Sequence, residues 1–219
     1  MYFLEKALEY IFLPVCGICG KLGEGYLCKE CEKSIKEYYI EQKVFVKDIR
    51  SKYKMCKTMH LLKYEGLVRK LLIDYKFNDK SYLYKTFCEI IKNDKKTLDF
   101  IKSYDIIIPV PIHKKRMKTR GYNQSELIAR ELAKICGNKM YTDVLIKIKN
   151  NNTQSTLNKE EREKKKKNVY KLCKLEKINN KKVLILDDIY TTGATVKECA
   201  LELSKATVKE IGIFTVAKD

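Results

Sequence analysis

The apolar positions of the chain fall into two patterns. Unbroken runs stopped by acids or prolines read as buried strands: DIIIPVP, from Asp105, and VLILD (183–187). VLIKI (144–148) and VKEIGIFTVAK, from Val208, are also strand-like, and MCKTMHLLKYEG, within about 54–66, has strand and turn character. Helical spacing marks the other pattern. GLVRKLLIDYKF carries Leu67, Leu71 and Leu72 on one side, and YNQSELIARELAKIC carries Ile128, Leu132 and Ile135. TVKECALELSKA gathers Val196, Cys199, Ala200 and Leu203, and SYLYKTFCEIIKNDKKTLDFIKS fits a helix as well. From residue 105 onward strands and helices alternate, which predicts an α/β fold with a mainly parallel sheet covered by helices on both faces.

The first part of the chain reads differently. MYFLEKALEYIFLPVC has an amphipathic helical pattern interrupted by Glu5 and Glu9, so it makes a poor export signal. A cysteine-rich knuckle follows, then KECEKSIKEYYIEQ, which can be helical. Residues 1–43 are expected to form a helix plus a metal-binding region, and residues 44–219 the α/β domain. No run of apolar residues is long enough to span a membrane. A cytoplasmic chain is expected, whose nine cysteines are then thiols or metal ligands, not disulfides.

Cys16, Cys19, Cys28 and Cys31 form two C-x2-C pairs. Such spacing lets both thiolates of a pair reach one tetrahedral ion, and two pairs close a four-thiolate shell. A catalytic zinc needs an open position, and no histidine lies near, so the motif predicts a structural zinc, with redox pairs or an iron site as the alternatives.

The segment VLILDDIYTTGAT, Val183 to Thr195, carries the most chemistry. A strand leads into Asp187 and Asp188, and a loop of small and hydroxyl residues opens the next helix. In parallel α/β sheets, ligands bind at the carboxyl ends of strands. A small-residue loop at a helix N-terminus offers N–H groups to an anion. Thr191, Thr192, Gly193, Ala194 and Thr195 therefore describe a phosphate cradle, without the lysine of a P-loop. Carboxylates beside a phosphate hold sugar hydroxyls or a divalent metal. Together they describe a site for a ribose phosphate. The alternative is an ordinary strand, turn and capped helix, which leaves two adjacent acids unexplained.

These residues resemble the motif by which type I phosphoribosyltransferases bind phosphoribosyl pyrophosphate. PVPIHKKRMKTRGYNQSELIAREL, from Pro109, and QSTLNKEEREKKKKNVY, from Gln154, are similar to segments of the ComF family, the competence-associated phosphoribosyltransferase-like proteins. The knuckle and chain length fit that family too. The resemblance implies a type I phosphoribosyltransferase fold with a zinc-binding appendage, a ligand accompanied by Mg²⁺, and a role in DNA uptake during transformation. It implies that the loop with Arg116 and Arg120 faces the leaving pyrophosphate, so that Asp187, Asp188, Arg116 and Arg120 would carry catalysis. It also implies that Lys149–Asn168 is a loop closing over substrate, and that residues 44–100 supply any hood reading a base. No evident set of base-reading groups lies there. Phosphoribosyl transfer therefore stands beside a second class: a nucleotide sensor, or a non-catalytic DNA-uptake factor that binds single-stranded DNA.

The net charge of +18 fits a polyanion partner such as nucleic acid or phosphorylated metabolites, and the family resemblance implies single-stranded DNA and DNA-uptake proteins as partners. The joint richness in Lys, Asn, Ile and Tyr offers a compositional explanation instead.

Overall fold

A computed structural model describes residues 13–41, 45–49, 54–149 and 169–219. The amphipathic helix expected at the N-terminus and nearly all of the loop from Lys149 lie outside the described residues.

The elements, in order, are α1 (Lys29–Ile35), β1 (Phe45–Ile49), β2 (Lys54–Lys63), α2 (Gly66–Phe77), α3 (Leu83–Lys92), α4 (Lys95–Lys102) and β3 (Ile106–Pro109). There follow α5 (Lys114–Arg120), α6 (Gln124–Cys136), β4 (Lys139–Met140), β5 (Leu145–Lys147), β6 (Tyr170–Leu172), β7 (Lys182–Tyr190), α7 (Ala194–Leu203) and β8 (Glu210–Lys218). Six strands make one sheet in the order β1-β2-β8-β7-β3-β4, all parallel except for the antiparallel β1–β2 pair. The fold is the expected α/β type, with a parallel sheet between helices.

Strand alternation decides which residues meet which layer. In β7, Leu184 and Leu186 pack with α2, α3, α4 and α6, whereas Val183 and Ile185 pack with α7. In β3, Ile107 joins the first core, and Ile106 and Ile108 join the second. Both faces of these strands are buried, which is why they read as unbroken apolar runs.

The topology locates the site. From β3 the chain crosses through α6 to β4 on one side; from β7 it crosses through α7 to β8 on the other. β3 and β7 are neighbours, with Pro109 opposite Leu186. The strand order therefore reverses between them, and the crevice beyond their carboxyl ends is where an open α/β sheet receives a ligand.

Three elements differ from the sequence expectation. The basic loop after β3 contains a helix, α5: His113 Nδ1 accepts from Lys115 N–H, and Gly121 ends the turn. With no buried residue, this helix leaves no apolar stripe to read in the sequence. The helix expected over 81–103 is two, because Asp94 caps a new start by accepting from Thr97 N–H at 2.7 Å. VLIKI forms β5, which pairs only with β6 in a separate two-stranded sheet.

The cysteine knuckle is docked on α3. A β-carbon on Gly17 would lie 2.2 Å from Thr86 Oγ1 and 2.6 Å from Leu83 Cδ2, so only glycine permits that approach. Thr86 Oγ1 donates to Tyr26 O at 3.0 Å, and Lys85 Nζ donates to the Tyr26 hydroxyl at 2.6 Å.

Candidate functional site

The two aspartates lie within β7, which continues past them to Tyr190. Consecutive strand positions project to opposite sides. Asp187 Oδ1 accepts from Ser125 Oγ, in the first turn of α6, and from Asp188 N–H, each at 2.9 Å. Asp188 Oδ1 meets Lys76 Nζ of α2 at 2.9 Å. Both carboxylates are buried, and Asp188 Oδ2 has no hydrogen-bond partner among the described residues. Burial and the neighbouring Asp188 charge push the Asp187 carboxyl up to about 7, against the pull of Lys76 and its hydrogen bonds.

The R-G-x-N-Q segment builds the floor of this crevice. Asn123 caps α6 by accepting from Ser125 N–H, and its Nδ2 donates to Val110 O at 3.1 Å, fastening the helix to the end of β3. Tyr75 Oη donates to Gln124 O at 2.8 Å, and Arg120 Nη1 donates to Gln124 Oε1 at 2.5 Å. This network holds Ser125 against Asp187 and brings α2 over the acidic pair. Burial and the charge of Arg116 lower the pKa of Arg120, while Asp188 works in the opposite direction. Arg116 itself is exposed on α5.

The loop from Thr191 to Thr195 turns into α7, with Thr191, Thr192, Ala194 and Thr195 exposed and Gly193 partly so. Gly193 caps the helix at φ +73, a backbone conformation strained for any L side chain. A β-carbon there would also lie 2.3 Å from the Tyr190 hydroxyl. Thr192 Oγ1 accepts weakly from Ala194 N–H at 3.4 Å. The strand that carries the acidic pair, with its unsatisfied oxygen, thus leads two residues later into a small-residue loop at a helix N-terminus.

Three contributors carry no signal in the sequence pattern. Lys76 sits in an ordinary amphipathic helix, and Ser125 in an ordinary first turn. Lys147 lies over the Tyr170 ring at 5.4 Å and within the fields of both Arg116 and Asp187; burial first, then Arg116, lowers its pKa. It also borders a cleft of about 640 Å³ lined by Pro111, His113, Lys114, Asn123 and Glu126. The acidic pair is not part of that lining. Lys147 comes from β5, whose pairing with β6 across a long polar segment only the fold reveals.

At the other end of the molecule, the sulfurs of Cys16, Cys19, Cys28 and Cys31 all lie within 4.8 Å of one another, Cys19 and Cys28 at 3.7 Å. A zinc–sulfur bond of about 2.3 Å makes the edge of a four-thiolate tetrahedron roughly 3.8 Å, so the cluster fits that ion. Burial raises the Cys16 thiol, but the N–H groups of Cys28, Cys19 and Ile18 outweigh it and bring the pKa down to about 7.

Fold and site together define a type I phosphoribosyltransferase-like domain bearing a four-cysteine knuckle. The phosphoribosyl transferase domain family matches residues 118–219. Competence protein F of Haemophilus influenzae is 26% identical over 94% of this chain and 85% of its own. Competence protein ComFC of Bacillus subtilis is 27% identical over 99% of this chain and 83% of its own. The chain is similar to these two competence proteins over nearly its whole length, which supports the ComF resemblance. DNA utilization protein YhgH of Salmonella typhi is 33% identical, though over 52% of this chain and 49% of that protein. Among solved structures, an adenine phosphoribosyltransferase from Thermoanaerobacter pseudethanolicus aligns with 85% of this chain and 99% of its own, at 16% identity and a TM-score of 0.41. No helix of the described residues is long and apolar enough to cross a membrane.

Proposed function

We propose that the chain binds phosphoribosyl pyrophosphate or a related ribose phosphate at the crevice between β3 and β7. One observation carries the reading: Asp188 keeps a buried oxygen without a partner among the described residues, on the strand that leads into a glycine-turned loop at a helix N-terminus. A buried carboxylate oxygen left unsatisfied calls for a hydroxyl or a cation. Ribose hydroxyls at Asp187 and Asp188, with the 5′-phosphate on the N–H groups of Thr191–Thr195, supply both halves of the match. Mg²⁺ travelling with the diphosphate would neutralise its charge, and Asp188 is the carboxylate with a free oxygen to meet it.

Turnover would break the bond between C1 of the ribose and the pyrophosphate oxygen, the electron pair leaving with pyrophosphate. Arg116, exposed on α5, would help to offset that charge. Arg120 is held by Gln124 and serves first to build the floor. A ring nitrogen or amine would then supply the new bond to C1.

The proteins named for competence and DNA utilization support a place for this chain in DNA uptake, and the +18 charge supports contact with DNA. Calorimetric titration with phosphoribosyl pyrophosphate and Mg²⁺, followed by a pyrophosphate-release assay, tests the reading. Saturable binding with release indicates a transferase, and binding without release a sensor. No binding refutes the ribose-phosphate site.

A further inference from the structure

The acidic pair already holds a cation. Lys76 Nζ lies 2.9 Å from Asp188 Oδ1, and only 4% of the Asp188 side chain is exposed. The last turn of α2, which carries this ammonium, is fastened from two sides. Tyr75 Oη donates to Gln124 O at 2.8 Å, and the Tyr122 hydroxyl donates to Tyr75 O. A helix end fixed to α6 thus delivers Lys76 to Asp188. Its charge also reaches Asp187, where it opposes the effect of burial.

A dication at this pair meets two obstacles. The ammonium takes one oxygen of Asp188 and repels a second positive charge close by. Mg²⁺ also gives up its water reluctantly and asks for several oxygens in octahedral order. A tethered ammonium is a compact charge that needs no such shell. Asp188 Oδ2 still lacks a partner among the described residues, and with the carboxylate charge already balanced a neutral hydroxyl is enough to satisfy it.

We propose that Lys76 is a built-in counter-ion that replaces a divalent metal at the acidic pair, so that a ribose phosphate without a diphosphate binds there metal-free. This rests on the ribose-phosphate reading of Asp187 and Asp188 and narrows it: Mg²⁺ accompanies a diphosphate, and the acids themselves need none. Without Lys76 the buried carboxylate has no counter-charge, and a divalent ion takes the vacant place.

The test is calorimetric titration of ribose 5-phosphate into wild type, Lys76→Met and Lys76→Arg, each in EDTA and again in Mg²⁺, with a thermal melt as the folding control. Wild type is expected to bind equally well in both media, and Lys76→Arg, which keeps a cation, to show the same indifference to metal. Lys76→Met is expected to bind about tenfold more weakly in EDTA, the scale of one lost interaction with a charged group, and to recover in Mg²⁺. Loss of wild-type binding in EDTA overturns the counter-ion, as does a folded Lys76→Met protein that binds in EDTA as wild type does or gains nothing from Mg²⁺. If Lys76→Met fails its melt, the wild-type and Lys76→Arg arms decide. Wild type that binds phosphoribosyl pyrophosphate with Mg²⁺ but not ribose 5-phosphate also overturns it. Wild type that binds neither sinks instead the ribose-phosphate reading beneath it.

Discussion

Lys76 Nζ lies 2.9 Å from Asp188 Oδ1, with 18% and 4% of the two side chains exposed. A helix of the first half of the domain is thereby tied to an acid of the central strand. Removing one partner of such a pair leaves a buried charge uncompensated. Lys76→Met is expected to lower stability by about 2 kcal/mol in urea unfolding. Adding Asp188→Asn should recover part of the loss, because it removes the stranded charge. A Lys76→Met protein as stable as wild type would show that the pair is only incidental.

Asp187 predicts an unusual pH dependence. Its folded-state pKa lies near 7, above the ordinary value of 3.8 that the unfolded chain keeps. Below both values the group is neutral in both states. Between them the folded chain holds a proton that the unfolded chain has lost, so stability falls as pH rises through that window and stays reduced above it. Asn at this position keeps an acceptor oxygen for Ser125 and for the Asp188 N–H but does not titrate. Asp187→Asn should therefore be more stable than wild type at pH 8, by on the order of a few kcal/mol, with the gap closing toward pH 4. Urea midpoints across that range measure it. A gap independent of pH contradicts the assignment.

The knuckle predicts about one zinc per chain. Cys28→Ser should lower the zinc content and destabilise the N-terminal region, with Tyr26 losing its hold on α3. Metal analysis of protein made with zinc under reducing conditions decides the matter. Folded, metal-free wild-type protein would rule the zinc site out.

The positive charge predicts sequence-tolerant DNA binding that weakens steeply with salt, because each phosphate contact releases counterions. Anisotropy titrations of a labelled single strand at several salt concentrations measure the slope. Affinity that does not change with salt is incompatible with an electrostatic interface.

The sequence exposes the parts of this molecule that repeat a simple pattern. Ile106–Ile108 and Val183–Leu186 are buried on both faces, so the central strands show as unbroken apolar runs. The four cysteines keep a spacing that fits one shared ion, and the fold brings their sulfurs together. What the sequence hides depends on long-range pairing or on an absence of apolar anchors. α5 buries nothing and so looks like a loop. Asp94 restarts a helix through a single side-chain bond. Lys76 and Ser125 reach the acidic pair, and Lys147 a neighbouring cleft, only because the fold brings distant segments together, and no local spacing announces that.

The central claim is that Asp187, Asp188 and the Thr191–Thr195 loop hold a ribose phosphate. Its most direct measurement is calorimetric titration of phosphoribosyl pyrophosphate with Mg²⁺ into wild type, the Asp187→Asn/Asp188→Asn double variant, and Gly193→Ala, each shown to be folded by a thermal melt. The acids contribute charge-assisted hydrogen bonds, and a side chain at Gly193 strains the loop and meets the Tyr190 hydroxyl 2.3 Å away. Wild type should bind saturably, and both variants at least about tenfold more weakly, the effect of losing roughly 1.4 kcal/mol. Equal affinity in all three proteins, or no binding by wild type, would contradict the account.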